Sequence, residues 1–349
     1  MKPTLLVTGA SGFIGSFIVE EGLKQGFDVW AGVRGTSSRR YLQDSRIHFA
    51  QLDMQDPAKL RSQLEDYRQK MEGHGWDYVV HAAGATKCLH HEDFFSANTE
   101  GTKHLIDTLR QADMIPRRFV FLSSLSIFGA IREEPVRQPT ADNPWIYSPI
   151  LLSDTPRPNT AYGKSKLAAE LYLQGQDIPY TILRPTGVYG PREHDYFLMA
   201  QSIRQHIDIA AGLSPQEITF VYVDDVVQAV FKSMKATKAE GKAYFLSDGK
   251  VYNSRRYSDL VQQNLGNPWV LHLKLPLCLL RTVCWLSGKI SHLTGKMNAL
   301  NDDKYHILSQ RNWQCDIEPA RADFGYAPRW SLEQGVEASI HWYKQEGWL

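Results

Sequence analysis

Val7-Thr8-Gly9-Ala10-Ser11-Gly12-Phe13-Ile14-Gly15 decides the fold. A strand-length apolar run, Thr4 to Thr8, turns through three glycines spaced three apart into a helix-length pattern from Gly12 to Gln25. Each glycine does something different: Gly9 permits the tight turn, Gly12 lets backbone amides approach an anion closely, and Gly15 lets the helix pack on the strand. The partial positive charge of the helix N-terminus then favours a pyrophosphate, so Gly9, Ser11, Gly12, Phe13, Ile14 and Gly15 are candidate dinucleotide contacts. A bare glycine triplet carries little weight; a strand before it and a helix after it make it specific.

Outward from this turn the same alternation continues. Asp28 to Arg34, His48 to Leu52, Tyr78 to Ala82, Arg118 to Ser123 and Tyr180 to Arg184 read as strands. Leu60 to Lys70, Thr99 to Ala112 and Thr160 to Leu173 read as the helices between them. Strands alternating with helices predict an α/β Rossmann fold, a doubly wound parallel sheet, with a smaller, mostly helical C-terminal substrate lobe. Residues 1–185 form the predicted core. The chain returns to it over about 217–247, through strand-like Glu217 to Val223 and Lys242 to Ser247, while 186–216 and 248–349 form the lobe. The last helix opens on Ser331-Leu-Glu-Gln334, a capping box. There is no internal repeat and no low-complexity segment.

The bulk properties narrow the class of partner. The chain has 349 residues and a formal net charge of +1, which excludes strong attraction to nucleic acid and favours a small-molecule substrate. Cys88, Cys278, Cys284 and Cys315 lack the close pairs of a structural zinc site and read as reduced thiols, so no metal and a cytoplasmic location are expected. No export signal is visible. Trp269 to Leu286 is apolar, but His272, Lys274, Arg281 and Pro276 interrupt it. It reads as an amphipathic helix under the substrate pocket rather than a membrane span.

At the end of the second strand, where an acidic residue would bond the ribose hydroxyls of NAD, the chain carries Val33-Arg34-Gly35. Arg34, with Ser37, Ser38, Arg39 and Arg40 close behind, suits a 2′-phosphate and points to NADP, with NAD the alternative; a solvated basic loop is the plainer reading. Leu52-Asp53-Met54 ends the third strand, where Asp53 either bonds the adenine amino group or caps the next helix. Ala82, Ala83 and Gly84 end the fourth, where small residues let a cofactor pass.

Tyr162 and Lys166 are spaced i, i+4 and share one face of a helix. Taken together in this order, the glycine turn, His81-Ala-Ala-Gly84, Ser123-Ser124 and Tyr162-Gly-Lys-Ser-Lys166 resemble the extended short-chain dehydrogenase/reductases, the NAD-dependent epimerase/dehydratase-like group, over roughly residues 4 to 230. The resemblance implies that the Tyr162 hydroxyl exchanges a proton with the substrate oxygen. Lys166 stabilises its phenolate and bonds the nicotinamide ribose, and Ser124, four residues before Phe128, bonds the reacting oxygen. Ser123 and Ser126 are the fallback hydroxyls. It also implies that Asn98 bonds the backbone beside the site and that Pro185 to Val188 lie against the carboxamide. His194 and Tyr196 either line the pocket or belong to an ordinary surface. A homodimer built on the helices near Thr99 to Ala112 and Thr160 to Leu173 is a further implication.

The family includes reductases that release the cofactor and sugar-nucleotide enzymes that recycle it. Arg34, Ile218 where many sugar-nucleotide relatives carry arginine, and the apolar Trp269 to Leu286 stretch favour carbonyl–alcohol interconversion on a largely apolar, steroid-like substrate, in the manner of hydroxysteroid dehydrogenases. The alternative is a nucleotide-sugar epimerase or dehydratase using Arg192, Arg255 and Arg256 on a diphosphate. A non-catalytic NAD(P)-sensing protein is the third reading.

Overall fold

The computed structural model describes residues 2–140, 144–294 and 301–349. Except that the third strand follows the second through a loop, its first half alternates strands and helices. They are β1 (Thr4–Thr8), α1 (Phe13–Lys24), β2 (Asp28–Val33), β3 (His48–Gln51), α2 (Pro57–Lys70), β4 (Tyr78–His81), α3 (His91–Phe94), a π-helical turn Phe95–Glu100, α4 (Gly101–Gln111), β5 (Arg118–Leu122), α5 (Ala161–Gln174) and β6 (Tyr180–Pro185). The second half holds β7 (Gly187–Tyr189), α6 (His194–Arg204), β8 (Ile207–Ala211), β9 (Glu217–Ile218), β10 (Phe220–Tyr222), α7 (Val223–Lys235), β11 (Lys242–Leu246), β12 (Tyr252–Asn253), α8 (Arg256–Asn264), β13 (Leu271–Leu275), α9 (Leu277–Thr294), α10 (Asp302–Ser309), α11 (Glu318–Phe324) and α12 (Leu332–Gln345).

Seven parallel strands form the central sheet in the order β11-β6-β5-β4-β1-β2-β3. With helices on both faces, the inner strands have no wet side, which is why β5, Arg-Phe-Val-Phe-Leu, is buried at every position. The order reverses between β1 and β4, so the crevice beyond their carboxyl ends is where this topology offers a ligand site. Two apolar layers flank the sheet, one containing Ile18, Val19, Phe128 and Phe245, the other Leu64, Trp76, Leu105 and Phe119. A third cluster, rich in tyrosine, joins α6, α8, β10 and α12 beside it.

Several expectations are corrected. Glu217 to Val223 is not one strand: β9 pairs with β12, β10 with β7, and Val223 already begins α7. The stretch from Trp269 is not one helix. Leu-His-Leu-Lys-Leu alternates with period two and forms β13, parallel to β8. Pro276 disfavours a helical Leu275 before it and accepts the first α9 bond, from the Leu280 N–H at 3.0 Å. Asp53 does not cap α2: Asp56 does, accepting from Ala58 and Lys59, with Pro57 in the first turn. The Ser331–Gln334 capping box is present at the start of α12. Among the described residues no helix is long and apolar enough to cross a membrane.

Candidate active site

The glycine turn closes on itself as its residue types require. Gly9 sits at φ +69°, and a Cβ there would lie 2.6 Å from the Ala83 nitrogen, so β1 and β4 approach as only glycine allows. The Gly12 N–H donates to the Gly9 carbonyl at 2.9 Å. A side chain at Gly15 would drive into that same carbonyl oxygen, so the first turn of α1 can rest on the loop only with glycine there. Gly12 is the N-cap of α1 and, having no side chain, caps none of its amides. That leaves the first-turn N–H groups of α1 without a side-chain cap beside the half-exposed Ser11, a cradle whose donors suit a pyrophosphate, while Phe13 and Ile14 pack against the core clusters.

Arg34 is the first residue after β2 and is exposed; its backbone N–H donates to Ser37 Oγ at 3.0 Å, and its guanidinium has no protein partner among the described residues. Arg39 instead lies over the Phe49 ring at 4.1 Å and Arg40 pairs with Glu346 at 2.8 Å. Asp53 is held at 2.9 Å by Lys59, whose hydrogen bond lowers the carboxyl pKa, and it also accepts from the Gln55 N–H. Met54, Ala82 and Ala83 are half-buried and Gly84 is exposed at the same sheet edge. Pro185 ends β6, and Val188 in β7 pairs with Val221.

Tyr162, Lys166 and Ser124 converge from two elements. Thr160 caps α5 by accepting from Gly163 at 2.9 Å, which sets Tyr162 in the first turn. Burial raises the Tyr162 pKa, and the neighbouring Ser124 hydroxyl opposes that rise. Lys166 is buried one turn on, its Nζ 4.3 Å above the Phe121 ring. Burial lowers its pKa to about 8, against the pull of Glu170. The Ser124 hydroxyl donates to Ser126 Oγ at 3.1 Å and accepts from the Ser126 N–H at 3.1 Å. Ser123 is buried, and its Oγ has no hydrogen-bond partner among the described residues. Asn98, in the π-helical turn, accepts from the Ala85 N–H at 2.7 Å and donates to Ser165 Oγ at 2.9 Å, tying α5 to the loop after β4.

Three supports of this site were not legible in the sequence. Asp303 of α10 accepts from the backbone N–H groups of Ala161 at 2.9 Å and Tyr162 at 3.1 Å, so a residue far along the chain caps the helix that presents Tyr162. Glu170, one turn beyond Lys166, is buried against Arg184 of β6, oxygen to nitrogen at 2.6 Å. His81 is buried between Thr8 at 2.7 Å and Thr102 at 2.9 Å; burial, with Lys166 nearby, lowers its pKa to about 3, so it is neutral.

Other candidates lie elsewhere or are already engaged. Arg192 stands over Phe17 and Tyr41 and bonds Ser16 at 2.9 Å and Glu20 at 2.7 Å, on α1. Arg255 bonds Asp259 and His272, and Arg256 bonds Glu333. All three are tied to protein partners rather than converging on one diphosphate site. Tyr196 is packed edge and face among Tyr189, Phe220 and Tyr257 with its hydroxyl directed at Gly187, and His194 packs on Phe197 and Trp348.

The model of the NAD dependent epimerase/dehydratase family matches residues 5–253. Sterol demethylase protein B of Methylococcus capsulatus is 26% identical over 360 residues, covering 99% of this chain and 100% of its own length. The 3-beta-hydroxysteroid dehydrogenase of Mycolicibacterium neoaurum is 24% identical, with 97% and 91% covered. Among solved structures, UDP-glucose 4-epimerase from Thermotoga maritima, with UDP-glucose, superposes with a TM-score of 0.73 at 21% identity, covering 98% of this chain and 99% of its own, a likeness of fold.

Proposed function

This chain belongs to the NAD-dependent epimerase/dehydratase family, whose members bind NAD and are enzymes, and from that premise we propose that it interconverts a carbonyl and an alcohol on a largely apolar, steroid-like substrate with NADP. The observation that supports the chemistry is Tyr162 beside Ser124, with Lys166 buried one turn on, its Nζ over Phe121 and close to Gly84. When bound there, the nicotinamide supplies or accepts the hydride. Ser124 bonds and orients the substrate oxygen. Tyr162 donates its proton to that oxygen in reduction and takes it back in oxidation. Lys166 favours the phenolate by its charge, and although burial lowers its pKa to about 8 it stays mostly protonated at neutral pH. Glu170 favours that protonated form, and Asp303 with Thr160 holds the helix end that carries Tyr162.

What is missing bears on the substrate class as much as what is present. Ile218 stands where a diphosphate-binding arginine is common in the sugar-nucleotide group, and Arg192, Arg255 and Arg256 are engaged with protein partners. The sterol-named and hydroxysteroid-named relatives point the same way. The nucleotide-sugar epimerase or dehydratase is the second reading, favoured by the family description and by the likeness to UDP-glucose 4-epimerase. A homodimer pairing α4 with α5 belongs to the first reading and is read by sedimentation.

Titration with NADPH and NADH, followed by nicotinamide fluorescence, is the test. The Arg34 guanidinium, which no described residue engages, predicts tighter NADPH binding that falls about 10-fold or more in Arg34→Ala while NADH binding stays the same. Apolar ketones should then oxidise the bound NADPH, and Tyr162→Phe should abolish that oxidation while retaining nucleotide. Tightly retained NAD with turnover of a nucleotide-sugar would overturn the reading.

A further inference from the structure

α9 turns its most apolar face away from the protein. Leu280 and Cys284 point inward and are buried. Leu279, Val283, Leu286, Ile290 and Leu293, spaced alternately four and three apart, form a stripe along the opposite side, each between 43% and 86% exposed. That is the period of one helix face, and among the described residues it is the face left exposed. The strand pair that precedes α9 repeats the pattern. In the β8–β13 register Ile207 lies beside Leu271 and Ile209 beside Leu273, and all four are exposed, while the other face carries the buried Asp208 bonded to His272. Only Pro276 separates the two elements. Trp269 and Trp285 are exposed at 72% and 55% on the same segment.

The charges on this segment say what covers it. Residues 260–301 contain no aspartate or glutamate, in a chain where 38 of 349 residues are acidic, but carry Lys274, Arg281, Lys289 and Lys296. Lys274, Arg281 and Lys289 are exposed, and the Lys289 ammonium stands 3.9 Å over the Trp285 ring. A second copy of the chain meeting this face about a two-fold axis would bring these cations toward their own duplicates with no carboxylate from the segment to neutralise them. An anionic lipid surface supplies the opposite charge, an apolar layer for the leucine stripe, and the interface at which tryptophan partitions. We propose that β8, β13 and α9 form a peripheral docking surface for an anionic lipid bilayer, with α9 lying in the plane of the membrane. This inference stands apart from the reaction proposed above, and each can fail without the other.

Co-sedimentation of the full-length protein with vesicles tests it, comparing phosphatidylcholine alone with phosphatidylcholine containing about a third phosphatidylglycerol. Each cation near an anionic surface multiplies partitioning about fivefold, so Arg281 and Lys289 on α9 predict a preference of about 25-fold for the anionic vesicles. Binding should weaken as salt shortens the screening length, a readout on the unaltered protein. Leu286→Asp with Ile290→Asp should lose binding to both vesicles, and Arg281→Glu with Lys289→Glu should lose the anionic preference, with nucleotide binding retained in each as the check on folding. No association of the unaltered protein with anionic vesicles would overturn the proposal. So would a solution dimer that Leu286→Asp with Ile290→Asp converts to monomer, because the face would then be covered by a second copy.

Discussion

Lys166→Met should yield a protein that is catalytically silent yet more stable than the parent. Lys166 is buried, and its pKa falls from 10.5 to about 8, a depression of about 2.5 units, which at about 1.36 kcal/mol per unit is a cost of order 3 kcal/mol for holding the ammonium in place. Methionine keeps a flexible stem against Phe121 and removes the charge. Glu170 is not orphaned, because Arg184 remains bonded to it. For a base with a depressed pKa the cost is fully present below about pH 8, where the folded and unfolded chains both hold the proton. It shrinks as pH rises from about 8 toward 10.5, where the unfolded chain alone holds it, and vanishes above. For 349 residues, an unfolding entropy of about 2.1 cal/mol/K per residue converts 3 kcal/mol into about 4 °C. Thermal and urea unfolding of the nucleotide-free protein, run at pH 7 and near pH 10, should therefore show the variant about 4 °C more stable at pH 7 and the gap closing at the higher pH. A variant that melts at or below the parent at pH 7, or a gap that does not change with pH, would refute the reasoning.

Three further outcomes follow from distances in the same region. Gly15→Ala places a methyl group into the Gly9 carbonyl oxygen, so nucleotide binding measured by fluorescence titration should be lost, even where circular dichroism reports a folded chain. Glu170→Gln leaves the Arg184 guanidinium, bonded at 2.6 Å and only 8% exposed, without its counter-charge; denaturant unfolding should register a loss of about 3–5 kcal/mol. Asp303→Ala frees the Ala161 and Tyr162 amides. That should cost about 1 kcal/mol of stability as a lost cap and lower kcat while nucleotide affinity holds, as steady-state kinetics would show.

The parts of the molecule that were legible are those whose cause is local. The strand-to-helix turn through Gly9 at φ +69° is a local requirement even though Ala83 also approaches it, and the i, i+4 spacing of Tyr162 and Lys166 survives wherever the helix is placed. The strand order could follow because alternating strands and helices leave few right-handed solutions. Pairings across large separations in sequence left no such trace. Nothing near Tyr162 announces Asp303, because a carboxylate can cap any helix end that the fold brings to it, and α10 is brought there by the tertiary structure. Arg192, Arg255 and Arg256 show the same effect in reverse: as a sequence pattern they suggest a diphosphate site, but folding pairs them with Glu20, Asp259 and Glu333.

The segment after Trp269 shows most clearly where local patterns stop being informative. Its hydropathy predicts an apolar helix beneath a pocket, on the premise that apolar residues go inward. Periodicity identifies which residues share a face but not which way the face turns. That direction depends on whether the rest of the chain has surface left to cover it. Here the inward side of α9 is satisfied by Leu280 and Cys284, and the broader stripe from Leu279 to Leu293 stays between 43% and 86% exposed. An apolar face left over after the protein has packed is a property of the whole fold, and its demand for a partner outside the chain becomes visible only once every internal contact has been assigned.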